Sequence, residues 1–386
     1  MELIIRTMMD LIASEVCDKA LDKSQYALTD DELATLYKLS KAHDLAHLVG
    51  DALIKNDLIK DGEVKVKFQK QMMLAVYRYE KINYELERLR ETLNEEEVPF
   101  IPLKGSVLRQ YYPEPWMRTS CDIDILVHEN NLERATVILT DKLAYRRESK
   151  SSHDIGLFSD NGVHLELHYN LTEDNCAENI ESVLQTVWTR VTPVAETSEC
   201  VLSDEMFYYY HIAHMAKHFV NGGCGIRPFL DVWVLNHSIS FDKEKRNVLL
   251  AEGGLLTFAT EVQALSEVWF GNNEYTNMTC RMQDYLLKGG VYGTTENRIS
   301  VQQVRKGGKG RYAFSRIWLP YDILKYHYPY LNGKRFLLPL YEIRRWFKLL
   351  FGGGIKRSVN ELKINSSTTY EEQMNTKEML QKLHIS

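Results

Sequence analysis

No apolar run in the chain approaches the roughly 20 residues that cross a bilayer, and mean hydropathy is −0.33. A membrane-spanning segment is therefore excluded, and no membrane partner is expected. Charge of one sign is not in large excess either. Lys and Arg number 47 against 53 Asp and Glu, a net of −6, too mild to imply a nucleic-acid partner for the whole chain. Cysteine is sparse: Cys17, Cys121, Cys176, Cys200, Cys224 and Cys280 form no CxxC and stand at no zinc-finger spacing from histidine. Such scattered thiols are expected to be reduced, which points to the cytoplasm. The opening Met-Glu-Leu-Ile-Ile-Arg carries an early acid and no small-residue cleavage site, so no signal peptide is expected. No internal repeat is present. What remains is a globular balance, 44% apolar and 26% charged over 386 residues, enough for two or three domains with real cores.

Residues 1–95 read as helix. Thr29-Asp-Asp-Glu supplies an N-cap with acids in the first turn, and Leu33, Leu36, Tyr37 and Leu39 follow at helical spacing. A longer helix runs from about Val64 to Leu93. The period then changes. Val98 to Leu103 is a short apolar run flanked by Pro99 and Pro102, which lack N–H donors and favour a sheet edge. Lys104 to Tyr112 reads as a helix opening on Gly-Ser, Asp122 to Val127 as a strand, and Asn131 to Leu143 as a helix. His153–Phe158 and Val163–Tyr169 read as a hairpin turning at Ser159-Asp160-Asn161-Gly162. Residues 203–350 return to helical patterns broken by Gly pairs, and the last stretch is polar and expected to be partly loose. The expected fold is α+β. A helical region over 1–95 leads into a minimal mixed-sheet α/β core over 96–200. A helical, basic domain over 201–355 and a polar tail over 356–386 follow.

The charge is unevenly spread. Residues 281–357 hold 16 Lys/Arg against 4 Asp/Glu, a net of +12, which leaves −18 on the rest. The segment is also rich in Tyr, Phe and Trp. It either pairs with the acidic remainder across a domain interface or presents a face to an anionic ligand such as a triphosphate or RNA.

Chemistry concentrates in the centre. In Asp122-Ile-Asp124-Ile-Leu-Val127, residues two apart share a face, so both aspartates point one way while Ile123, Ile125 and Val127 point into the core. Two carboxylates side by side repel unless a cation sits between them, and hard oxygen ligands suit Mg²⁺. In Val163-His-Leu-Glu-Leu-His168 the apolar and polar faces alternate again, with His164, Glu166 and His168 together. Beside the first strand, Glu166 adds a third carboxylate. Asp122, Asp124 and Glu166 then form the framework of a two-metal phosphoryl or nucleotidyl transfer site. Gly105-Ser106, where strand gives way to helix, suits close approach to a phosphate. Lys104 and Arg118 would neutralise more of its charge. His168, on the carboxylate face, either orients an acceptor or hydrogen-bonds a carboxylate from behind. On this basis Asp124→Asn is expected to cost little stability, because it relieves repulsion with Asp122.

His211, His214 and His218 lie at i, i+3 and i+7 on one helical face, but without a HExxH glutamate or a Cys pair zinc is not expected. His214, His218 and Asp231, with His168, are instead candidates for an acceptor pocket.

These residues carry a resemblance. Gly-Ser, then Asp-x-Asp, then a later carboxylate resembles the nucleotidyltransferase superfamily typified by polymerase beta. Leu103-Lys104-Gly105, Tyr112-Pro113, Arg118, Asp122-Ile-Asp124-Ile-Leu-Val127, Glu166-Leu167-His168 and Arg227-xxx-Asp231 resemble, more narrowly, the bacterial uncharacterised nucleotidyltransferases. The resemblance implies transfer of a nucleoside monophosphate from an NTP, ATP in the first instance, to an acceptor hydroxyl with release of pyrophosphate. Two Mg²⁺ ions would be held by Asp122, Asp124 and Glu166, and the triphosphate by Lys104, Gly105, Ser106 and Arg118. Fifteen residues separate Ser106 from Asp122, more than the superfamily's usual spacing, which shifts the phosphate loop toward Lys104 and Gly105. The acceptor is a small molecule, peptide or RNA. The rivals are a toxin-like enzyme acting on tRNA and a catalytically idle nucleotide-binding module.

Overall fold

The computed structural model describes residues 2–172, 176–291, 293–351, 355–367 and 369–385. Its chain divides into two compact units, one made of Met1–Lys217 with Cys224–Val291, the other of His218–Gly223 with Tyr292–Ser386.

The first unit begins with four helices: α1 (Glu2–Val16), α2 (Asp30–Ala42), α3 (Ala46–Lys55) and α4 (Glu63–Glu95). Thr29 opens α2 as a full capping box. Its hydroxyl accepts from Glu32 N, and the Glu32 carboxylate accepts from Thr29 N at 2.8 Å. Then come β1 (Phe100–Pro102), α5 (Gly105–Leu108), β2 (Asp122–Val127), α6 (Leu132–Leu143), β3 (Arg146–Lys150), β4 (Asp154–Phe158) and β5 (His164–His168). The five strands form one mixed sheet in the order β1-β2-β5-β4-β3. Proline-flanked β1 lies at one edge, antiparallel to β2, and β2 runs parallel to β5. β4 and β5 form the expected hairpin, and Gly162 takes a left-handed φ of 70° at its turn. The first unit continues with α7 (Glu178–Leu184), the two short strands β6 (Val191–Pro193) and β7 (Cys200–Leu202), α8 (Asp204–Val220), α9 (Arg227–Ser238), α10 (Lys243–Glu252), α11 (Leu256–Trp269) and α12 (Asn277–Leu287).

The sheet has two chemically different faces. Ile123, Ile125 and Val127 of β2, Ile155 and Leu157 of β4 and Leu165 and Leu167 of β5 are sealed beneath α4 and α6, against Leu86, Leu89, Leu93, Ala135 and Leu139. Each such side chain contributes about 1.5–3 kcal/mol by leaving water, and strict alternation pins the strand register. The register in turn fixes what the opposite face displays. The fold is α+β, as expected.

Two local expectations change. The helix expected over Lys104–Tyr112 is only a four-residue turn of α-helix followed by a 3₁₀ turn at Arg109–Tyr111. Pro113 and Pro115 close behind it and stop propagation. The tail, expected to be partly loose, is helical over Ile355–Ser367 and Tyr370–Lys382.

The second unit comprises α13 (Thr295–Lys306), α14 (Lys309–Ile317), α15 (Tyr321–His327), α16 (Leu338–Phe351), α17 (Ile355–Ser367) and α18 (Tyr370–Lys382). Thr369 caps α18 in a second capping box with Glu372. Part of the basic segment is neutralised within this unit, where Arg298 and Arg316 share Glu361 at 2.8 and 2.7 Å. No helix among the described residues is long and apolar enough to cross a membrane.

Candidate active site

The parallel register between β2 and β5 sets Asp122 opposite His164 and Asp124 opposite Glu166. All four side chains lie on the face turned away from the α4–α6 core. Two groups of ligand atoms gather there, Asp122 with His164 and Glu166, and Asp124 with Glu166 and His168. Within each group the atoms lie within 4.8 Å of one another. Glu166 belongs to both. On the other side of Glu166 the neighbouring strand offers Gly156, and the space a Cβ would take there is filled by Ser149 Oγ and His164 Nε2.

Lys104 is drawn into this cluster. Its Nζ lies 2.7 Å from Asp124 Oδ1 and 3.7 Å from Glu166 Oε2. The backbone pays for the position, because Lys104 sits at φ 44°, ψ −121°, a region that glycine favours. Such strain costs on the order of 1–3 kcal/mol and persists where surrounding structure enforces it. His168 Nε2 completes the ring, 3.0 Å from Asp124 Oδ1. Burial alone would raise Asp124, but the Lys104 charge and the His168 hydrogen bond outweigh it and hold this carboxyl far below the usual range. Asp122 has no such partner. Burial, and then the Asp124 charge, push it up to about 6. Divalent-ion affinity is therefore expected to drop as pH falls through about 6, because a protonated Asp122 cannot ligate. Titration with Mn²⁺ across that range checks this, and a flat profile would show that Asp122 is not a ligand.

The donor chemistry fits a hard divalent ion. Three carboxylates from two strands face one spot, and an ammonium already stands between two of them, as a cation would. His168, engaged on Asp124, is suited to orienting that ligand from behind.

The neighbouring loop is arranged differently from the sequence expectation. Ser106 N and Val107 N donate to Leu103 O and Lys104 O, both at 3.1 Å, so these two amides are engaged within the turn. The Ser106 hydroxyl, in contrast, is buried without a hydrogen-bond partner among the described residues. Arg109, which sequence reasoning missed, holds the turn shut. Its Nε donates to Gly105 O at 2.9 Å and its Nη2 to Ser120 Oγ at 3.0 Å. Burial, then the Arg118 charge, bring the guanidinium down to about 10. The signal was the i, i+4 spacing from Gly105.

Arg118 does not face the carboxylates as an unpaired cation. It is buried in a two-point ion pair with Asp231 of α9, Nε to Oδ1 at 2.6 Å and Nη2 to Oδ2 at 2.9 Å, and Tyr112 Oη donates to the same carboxylate at 2.6 Å. One turn earlier on α9, Arg227 reaches Asp44 at 2.7 Å and Thr119 Oγ1 at 3.2 Å. The Arg227-xxx-Asp231 pair thus grips the segment that leads from the Gly-Ser turn into β2.

From α8, Tyr210 and Lys217 reach the carboxylate face. They lie seven residues apart on one side of the helix. Tyr210 is buried within the field of Lys104, Asp124 and Glu166, and burial raises its hydroxyl. Lys217 is brought down to about 8 by burial, then by the Lys104 charge. His214 lies between them, with its ring 6.3 Å from that of Tyr210. His211 points elsewhere, its Nε2 3.2 Å from Pro228 O. His218 belongs to the second unit. Tyr210 was legible only as a residue one turn before His214.

A family model described as "Uncharacterised nucleotidyltransferase" matches residues 29–271. No curated protein and no solved structure matches the chain.

Proposed function

This chain belongs to the uncharacterised nucleotidyltransferase family, and from that premise we propose that it moves a nucleoside monophosphate from a Mg²⁺-bound NTP to an acceptor hydroxyl, releasing pyrophosphate. The observation that carries the reading is the β2–β5 register, which sets Asp124 opposite Glu166 with Asp122 on the same face.

Asp122, Asp124 and Glu166 would hold the ions. When bound, these neutralise the phosphates and make the acceptor hydroxyl more acidic. Asp124 stays ionised under Lys104 and His168. The Glu166 side chain, 27% exposed against 4% for Asp124, is the more open to an entering acceptor and takes its proton. The Ser106 hydroxyl hydrogen-bonds a phosphate oxygen. Lys217 supplies positive charge from α8, and Arg109 keeps the Gly105 turn in shape. Arg118 serves by fixing the loop rather than by touching phosphate.

Lys104 then has two opposed effects. Its ammonium competes with a divalent ion for Asp124 and Glu166, yet it neutralises triphosphate once it is displaced. Lys104→Met is expected to tighten Mn²⁺ binding in the absence of nucleotide and to weaken binding of the metal–triphosphate complex, each by roughly tenfold, about 1.4 kcal/mol. Calorimetry with each ligand reads both signs, and a shift of the same sign in both would remove Lys104 from the site.

The reaction itself is tested by incubating the protein with each labelled NTP, Mg²⁺ and cell extract, then following the label. Label in a covalent product, absent when Asp124 is changed to Asn, supports transfer. Nucleotide binding with no label transferred to any component overturns it in favour of an idle binding module.

A further inference from the structure

Helix α16 is held down on one side by polar contacts: Glu342, only 1% exposed, accepts from Leu319 N at 2.6 Å and from Arg345 Nε at 2.8 Å. Arg345 Nη2 and Trp346 Nε1 both donate to Ile317 O, at 2.6 and 3.1 Å. These bonds tie one side of α16 to the end of α14 and fix its rotation. The side that remains outward is apolar. Leu340, Ile343, Phe347 and Leu350 are 61%, 55%, 57% and 51% exposed. At 3.6 residues per turn they fall within an arc of roughly 80°. Arg344 and Lys348 are exposed along one margin of that arc. Just before the helix, Phe336 is 79% exposed and follows Lys334 and Arg335. A water-facing helix normally shows the opposite arrangement.

We propose that α16, with Phe336 before it, is an interfacial helix that docks the second unit onto an anionic phospholipid surface.

An aliphatic row beside cations matches such a surface: the row enters the acyl boundary while Arg344 and Lys348 meet the headgroups. Residues 292–386 hold 17 Lys/Arg against 7 Asp/Glu, a net of +10 that is complementary to it. RNA makes less use of the row, because bases stack on aromatic rings and guanidinium planes and gain little from Leu340, Ile343 or Leu350. A second copy of the chain would bring the same positive field against itself. The absence of a spanning run, which led the sequence reading to exclude a membrane partner, does not bear on a helix that lies in the interface plane. The proposal does not depend on the transfer reaction.

The test is co-sedimentation of the full chain with vesicles of phosphatidylcholine containing phosphatidylglycerol, against vesicles of phosphatidylcholine alone. Binding is expected only to the anionic vesicles and should weaken as salt rises. Arg344→Gln with Lys348→Gln should lower the partition coefficient about 25-fold, roughly fivefold per cation. Ile343→Glu with Leu350→Glu should abolish binding. Ile343 and Leu350 are outward side chains, so thermal melting of that variant should be unchanged. Arg344 also lies over the Tyr328 and Tyr341 rings at 5.7 and 5.8 Å, so its variant should melt at most slightly lower. Failure to bind anionic vesicles overturns the proposal. So does undiminished binding by the Ile343→Glu, Leu350→Glu variant. A dimer of the parent chain, or RNA binding, that is lost in that same variant would equally overturn it by assigning the face to another occupant.

Discussion

Replacing Asp124 by Asn should cut nucleotidyl transfer by at least ~10³ and should lower the melting temperature. The rate effect follows from the carboxylate's place opposite Glu166. In the proposed reaction Asp124 would hold the ions at the reacting phosphate, and losing such a ligand would remove several kcal/mol of barrier lowering. The stability effect has the opposite sign from the one that Asp-x-Asp repulsion alone suggests. Asp124 is nearly sealed, with Lys104 Nζ at 2.7 Å and His168 Nε2 at 3.0 Å on the same oxygen. Asn keeps the shape but removes the charge, leaving a buried ammonium short of its main counter-charge. Breaking a buried pair from one side costs about 3–5 kcal/mol; here Glu166, 3.7 Å from Nζ, retains part of the compensation, so about 2–3 is expected.

The raised carboxyl is Asp122 instead. Burial first, and then the Asp124 charge, put it at about 6 in the fold against an ordinary aspartate value of about 4. Between those values the native state binds more protons than the unfolded chain, so this group makes stability fall as pH rises from about 4 to about 6, by up to about 3 kcal/mol. Above that range the cost stays constant. Asp122→Asn should therefore melt higher than the parent at pH 8 without metal while losing transfer. Paired melting curves of the two variants at pH 8 decide the matter. If Asp124→Asn melts as high as the parent, the Lys104 contact carries no weight; if Asp122→Asn melts lower, its carboxylate is stabilised by the fold rather than strained.

The centre of the site was legible because its information is local. Asp122, Asp124 and Glu166 declare themselves by period-2 alternation with Ile123, Ile125, Leu165 and Leu167, and one buried sheet face is enough to align two such strands. β3 was not legible. Arg146 to Lys150 is wholly exposed and has no apolar residue to set a period. β6 and β7, three residues each, are too short to show one. The Gly-Ser helix was overestimated because its continuation through Arg109–Tyr111 depends on the proline-rich loop that follows. The role of Arg118 was hidden for another reason: its partner Asp231 is 113 residues away, and spacing along the chain says nothing about such a pair.

That pair yields the other large effect. Asp231→Leu should destabilise the protein by about 3–5 kcal/mol, because it strands the Arg118 guanidinium in a buried position and takes the acceptor from Tyr112 Oη. Arg118→Met alone should cost a similar amount by leaving the carboxylate uncompensated. Removing both together should recover much of the loss, since two apolar side chains of similar size can replace a buried ion pair at little cost. The double-mutant cycle by urea unfolding therefore predicts a coupling at least as large as either single loss, above about 3 kcal/mol. The recovered double variant also separates the two roles of Arg118. As a loop clamp, Arg118 is dispensable once Met and Leu fill the space, and triphosphate affinity should return to within about threefold of the parent, less than 1 kcal/mol. As a phosphate contact it is not replaceable by Met, and affinity should stay at least tenfold down although the protein is folded. Folding restored with affinity restored makes the Arg118–Asp231 pair the brace between α9 and the loop entering β2. Folding restored without affinity returns Arg118 to the triphosphate.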